Sequence, residues 1–126
     1  MNGQWIVVNE HMSHRAAMYQ AAICDRVGQT YFLNGVKFDG YDPQLGILID
    51  AKGEGYATFT KDGRFKSWFF GRTRLIEQAQ RQTVAAQGTP IRWYVAEYAA
   101  SLAIADLIAE YPIEVIHKEI VNGKTA

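Results

Sequence analysis

Residues 38–53 read FDGYDPQLGILIDAKG, and the fold turns on how this stretch is laid out. Asp42-Pro43 and Gly46 mark a turn. Ile47-Leu48-Ile49 is a short, wholly apolar run, the pattern of a strand buried on both faces. It ends at once in Asp50-Ala51-Lys52. Burying charge unpaired is costly, so charges closing such a strand need a partner or a task. A hairpin centred between Gln44 and Leu45 sets Asp39 opposite Asp50, with β-carbons roughly 4.5–5.5 Å apart. Lys52, two residues beyond Asp50, points to the same face.

Working outward, Trp5–Val8 is predicted as a short strand or an apolar lead-in. Ser13 is a plausible N-cap for a helix running to about Val27, with Ala16, Tyr19, Ile23 and Val27 at helical spacing and Gly28 as its stop. Thr30–Leu33 and Val36–Gly40 flank Asn34-Gly35, a two-residue hairpin signal. Gly46–Lys52 completes a three-strand meander. Residues 56–70 are aromatic-rich and irregular, with a turn at Asp62-Gly63. A second helix is predicted over Arg72–Gln87, with Leu75, Ile76, Ala79, Thr83 and Ala86 inward, then a strand over Pro90–Ala96. A third helix follows over Tyr98–Ala109, a last strand over Ile113–His117, and a frayed tail from Val121. The order α-β-β-β-α-β-α-β implies an α/β fold: a mixed sheet of about five strands flanked by helices, parallel where helices cross over. Residues 1–126 show no internal repeat or domain boundary and are expected to form one domain with a core over about 5–117.

The chain has 126 residues, 48% of them hydrophobic, enough for a real core. A single cysteine, Cys24, precludes an internal disulfide. No apolar run approaches membrane-span length, and no basic-then-apolar start marks a signal peptide. Net charge is zero but uneven: residues 61–92 carry seven basic against two acidic side chains, a local +5. Arg72, Arg74 and Arg81 in this segment are candidate substrate-binding residues on a phosphate-tracking face, or part of an ordinary solvated helix surface.

Two carboxylates set against each other repel unless a cation lies between them. Asp39 and Asp50 are therefore candidate ligands for a hard divalent ion, Mg²⁺ or Mn²⁺, with the Ala51 carbonyl as a further oxygen. Such an ion lowers the pKa of water and stabilises charge developing on a phosphate. Lys52 would orient the attacking water or help deprotonate it, the latter requiring a lowered pKa. Alone, the acid-x-Lys triplet is a near-chance match whose bland alternative is a surface ion pair. The apolar strand before it, the Asp across the turn and the helix ahead of the meander add weight.

That combination resembles the PD-(D/E)xK nuclease superfamily with its restriction-endonuclease-like core. Met18-Tyr19-Gln20, Asn34 to Tyr41, Leu48 to Gly53 with Gly55-Tyr56, Gln78-Ala79-x-x-Gln82, and Ile91-x-Trp93-x-Val95-Ala96-Glu97 are together similar to restriction-endonuclease-fold toxin domain 5. The likeness runs from about residue 5 to residue 117. Phe38 stands where the superfamily's namesake proline would be, a position at which many members depart.

The resemblance implies a metal-dependent phosphodiesterase acting on nucleic acid, DNA favoured, as the C-terminal toxin of a bacterial type VI or polymorphic secretion system. It implies a cognate immunity protein that binds the toxin in the producer's cytoplasm, a longer effector chain or delivery apparatus, action in the target cell's cytoplasm, and no membrane partner. By position, Asp39, Asp50 and Lys52 match the catalytic motif. Gln78 and Gln82, one helical turn apart, match a helper pair, or form a plain polar face beside Gln80 and Gln87. Gln20 is either a helper from the first helix or a buried amide. Glu10 is a rival acid, and Glu97 either faces the site or favours the N-terminus of the third helix. His11 and His14 lack a third ligand nearby and read as solvent-facing, and His117 as structural. Trp68, Phe69 and Phe70 could stack bases, anchor the core or seat the immunity protein. The competing functions are a restriction or repair nuclease of the same fold and a non-catalytic binding module.

Overall fold

A computed structural model describes residues 3–9, 12–121 and 124–125. Its elements are β1 (Gln4–Val7), α1 (His14–Cys24), β2 (Gln29–Leu33), β3 (Val36–Phe38), β4 (Gly40–Asp42) and β5 (Ile47–Lys52). A 3-10 turn (Ala57–Phe59), β6 (Thr60–Lys61), β7 (Arg64–Phe65) and α2 (Gly71–Ala86) follow. The chain continues through β8 (Ile91–Val95), α3 (Tyr98–Leu107), β9 (Ile113–His117), β10 (Ile120–Val121) and β11 (Lys124–Thr125).

The central sheet is mixed, in the order β4-β5-β8-β9. β4 pairs antiparallel with β5, while β5-β8 and β8-β9 are parallel, as connections through α2 and α3 require. The expected sheet of about five strands is instead divided. The meander breaks at Asp39, so β2 and β3 join β1 in a separate antiparallel sheet. At the break, Ala51 N–H donates to Asp39 Oδ2 at 2.8 Å, so a side chain takes the place of the Phe38 carbonyl that the same register, carried on, would set opposite Ala51.

The Asn34-Gly35 turn has φ of 49° and 82° at its two residues, the all-positive geometry that joins two strands without splaying them. Asn34 Nδ2 also donates to the Ala85 carbonyl at 2.7 Å, tying this hairpin to the end of α2. Ser13 caps α1 through Oγ, which accepts from Ala16 N. The helix stops at Cys24 rather than near Val27, because Asp25 takes the left-handed conformation (φ 53°). Val27 is consequently exposed rather than part of an inner stripe. The tail expected to fray instead pairs β10 with β11. The core joins Leu48, Trp93 and Val95 of the sheet to Leu75 and Ala79 of α2 and Ala100 and Ile104 of α3.

Candidate active site

The register of β4 and β5 pairs Gly40 with Ile49, Tyr41 with Leu48 and Asp42 with Ile47. One step further along this register lie Asp39 and Asp50. On the other side of β5, Asp50 lies beside Trp93 and Lys52 beside Val95. Leu48, Asp50 and Lys52 share a face by alternation. α2 crosses that face and brings Gln78 and Gln82, one turn apart, over the two charges.

The resulting network is dense and nearly dry. Asp50 is 2% exposed, Lys52 7% and Gln82 0%. Lys52 Nζ stands 2.6 Å from Asp50 Oδ2 and donates to Gln78 Oε1. Gln78 Nε2 donates to Asp50 Oδ2, and Gln82 Nε2 to Asp50 Oδ1, each at 3.3 Å. Trp93 Nε1 donates to Gln82 Oε1 at 2.8 Å. That bond dictates which way the Gln82 amide faces, leaving its NH₂ for Asp50. The Trp93 ring also lies 4.5 Å from Lys52 Nζ, a cation-π contact in a desolvated setting.

Burial first, and then the Asp50 carboxylate, push Asp39 well above the usual carboxylate range; Ala51 N–H and Lys52 pull it down without prevailing. Burial pulls the Lys52 ammonium down, but Asp50, Tyr56 and Asp39 together more than offset this, and its pKa is raised. The lowered lysine pKa that a base role requires is therefore not found, and Lys52 stays an ammonium at neutral pH. Cys24, at the last turn of α1, is held as a thiol by burial and then by Asp39 and Asp50.

Among the described residues no group of three or more His, Cys, Asp or Glu side chains could hold a metal. The two carboxylates nevertheless fit a hard divalent ion, which typically takes one or two carboxylates and fills its shell with water and substrate phosphate. A cation between Asp39 and Asp50 would relieve the desolvation and repulsion that raise the Asp39 pKa.

Beside Lys52 opens a cleft of about 520 Å³, walled by the loop after β5, Phe59, Phe69 and the first turns of α2. Arg74 lines it. Arg72 is outside the lining: its guanidinium donates to the Ser67 and Phe69 carbonyls and holds the segment ahead of α2. Arg81 is exposed and outside the lining, and Gln20 lines a separate depression with Val8 and Met12. Glu97 Oε1 accepts from Gly55 N and Ala57 N at 3.0 Å each, so it braces the cleft loop. His14 is exposed, and His117 Nε2 lies 3.4 Å from Glu119. Glu10 and His11 lie outside the described residues.

Sequence reasoning missed the part played by Trp93. The usable signal was a tryptophan in a buried strand, whose N–H must find a partner. No curated protein matches the chain. The family model for restriction endonuclease fold toxin 5 matches residues 16–98, about two thirds of the chain. That span holds the whole network from Asp39 to Trp93, and with the mixed sheet it shows that the chain belongs to the restriction endonuclease fold toxin 5 family, a nuclease toxin by family.

Proposed function

We propose that the protein is a metal-dependent nuclease that hydrolyses phosphodiester bonds of nucleic acid, DNA before RNA. In this reading it acts as an antibacterial effector in a target cell and is held in check in the producer by an immunity protein. The observation that carries the reading is the convergence of Asp39, Asp50 and Lys52 with Gln78 and Gln82 at one buried strand end, in a chain of a toxin family. A purely binding module has no use for carboxylates forced together at this cost.

Asp39 and Asp50 would hold a divalent ion, which when bound would supply activation of water and neutralisation of charge at the phosphate. The chain's own groups do the rest. Gln82, its amide fixed by Trp93, and Gln78 lock the Asp50 carboxylate in orientation. Ala51 N–H does the same for Asp39. Lys52 keeps its proton and offers Nζ–H to a non-bridging phosphate oxygen or to the attacking water, as a preorganised positive charge rather than a base. Burial of the set keeps bulk water from screening it.

The test is incubation of plasmid DNA and of structured RNA with the protein and Mg²⁺ or Mn²⁺. Cleavage that EDTA abolishes and that Asp50→Ala and Lys52→Ala reduce at least a hundredfold is expected. Intact nucleic acid under every metal, or equal cleavage by the variants, would overturn the proposal. The toxin reading is tested by cytoplasmic expression in a bacterium without a partner protein, where arrest of growth is expected and unimpaired growth contradicts it.

A further inference from the structure

The cleft beside Lys52 is built unlike a track for duplex backbone. Its walls are mainly aromatic and apolar: Tyr56, Phe59, Phe69 and Leu75, with Arg74 at the side. The aromatic wall is packed on itself. Phe59 and Phe69 stack with centroids 4.4 Å apart, and Phe65 packs on Phe69 at 4.9 Å. Phe69 reaches this place because residue 71 is glycine; a β-carbon there would lie 2.2 Å from the Phe69 ring. Tyr56 makes no ring contact of this kind among the described residues, is half-buried against the core, and lines the cleft together with Lys52. The part of Tyr56 that the core leaves uncovered borders the cleft, in the same lining as the candidate catalytic lysine. The volume, about 520 Å³, is within the range of small-molecule pockets, about 300–1,000 Å³.

We infer that this cleft is a subsite for an unpaired nucleobase, so that the preferred substrate is single-stranded or locally unpaired nucleic acid. The base of the nucleotide at the scissile phosphate stacks on Tyr56 against the Phe59–Phe69 wall, while Arg74 meets an adjacent phosphate. In a duplex the bases are already stacked and turned inward, and an aromatic wall gains nothing from them until one is extruded. The recession of Asp50 and Lys52, 2% and 7% exposed, points the same way, because a stiff duplex must deform to bring a phosphate to them whereas a flexible strand bends in. Arg74, one helical turn before Gln78, carries the charge that a phosphate needs in a cleft whose other charged lining residues are Lys52 and Glu54, the latter 3.2 Å from Arg15.

The inference rests on the nuclease reading, and the test separates the two. Cleavage is compared on DNA and RNA oligonucleotides of one sequence, single-stranded and duplex, with Mg²⁺. Base stacking is read independently from the quenching of 2-aminopurine in a single strand bound to the Asp39→Asn protein. Expected are at least tenfold faster cleavage of the single strand, quenching on binding, and a fall of about tenfold in the single-strand to duplex ratio in Tyr56→Leu. Tyr56→Trp, which keeps a stacking face, should retain the ratio. Equal cleavage of both forms with no effect of Tyr56→Leu, in a variant shown folded by circular dichroism, overturns the subsite and leaves the nuclease standing. Quenching without cleavage under any metal supports the subsite and overturns the nuclease reading.

Discussion

Burial and the neighbouring Asp50 carboxylate disfavour the charged form of Asp39, and the sign of that penalty makes a testable statement. Its pKa is raised in the folded chain, above about 3.9 in the unfolded one. The contribution of Asp39 to stability is therefore complete below pH 3.9 and is lost as pH rises through its folded value. Urea unfolding of the metal-free protein should show a stability term that declines on going from pH 4 toward neutrality, and Asp39→Asn should flatten that decline and raise stability at pH 7.5. Lys52 is raised too, so its contribution is complete below about 10.4 and fades only as pH climbs through the higher folded value. Hence the cleavage rate should show no inflection assignable to Lys52 between pH 6 and 9. An inflection there that disappears in Lys52→Arg would restore the lysine as a base. The opposition of Asp39 and Asp50 was legible from the turn alone, since the strand register follows from Asp42-Pro43 to Gly46. The protonation state of Lys52 was not, because it depends on how many carboxylates and how little water surround it after folding.

At the scale of elements, α2 turns a strand end into a site. Leu75 and Ala79 pack it onto the sheet, and the same face carries Gln78 and Gln82 to Asp50. Its apolar periodicity announced the helix, but a fully buried glutamine within the inner face is invisible to a hydrophobic pattern. Trp93 of β8 completes the arrangement. Trp93→Phe should remove the donor that orients Gln82 while keeping most of the packing. Leaving Gln82 Oε1 buried and unpaired costs about 1–3 kcal/mol, read as a lower urea midpoint, and cleavage should fall about tenfold with the circular dichroism spectrum unchanged. Undiminished activity would show that Asp50 needs no such brace. The loop after β5 depends on Glu97, whose carboxylate holds two backbone N–H groups. Glu97→Ala should therefore raise KM for oligonucleotide more than it lowers kcat, since it loosens the cleft wall rather than the carboxylate pair. Gln20 shows the opposite case: helical spacing set it near the inner face of α1, but the helix axis carries it to a separate depression, a matter of packing that one sequence does not reveal.

For the whole molecule, the parallel core β5-β8-β9 with its crossover helices was readable, because a helix between strands leaves few other pairings. The division into two sheets was not, since the break at Asp39, where the carboxylate takes up the Ala51 N–H, is a tertiary contact that a hydrophobic pattern does not carry. A protein that gathers two carboxylates this way should be stabilised by what reconciles them. At a concentration of Mn²⁺ a hundredfold above its dissociation constant, linkage gives about 2.7 kcal/mol, seen as a rise in Tm that Asp39→Asn abolishes. The most direct measurement is the rate of oligonucleotide cleavage against Mg²⁺ concentration in the wild type and in Asp39→Asn. Saturating metal dependence in the wild type, with less than about a hundredth of that rate in the variant at every concentration, is the predicted result. Cleavage by the wild type in EDTA, or wild-type rates from Asp39→Asn, would contradict it.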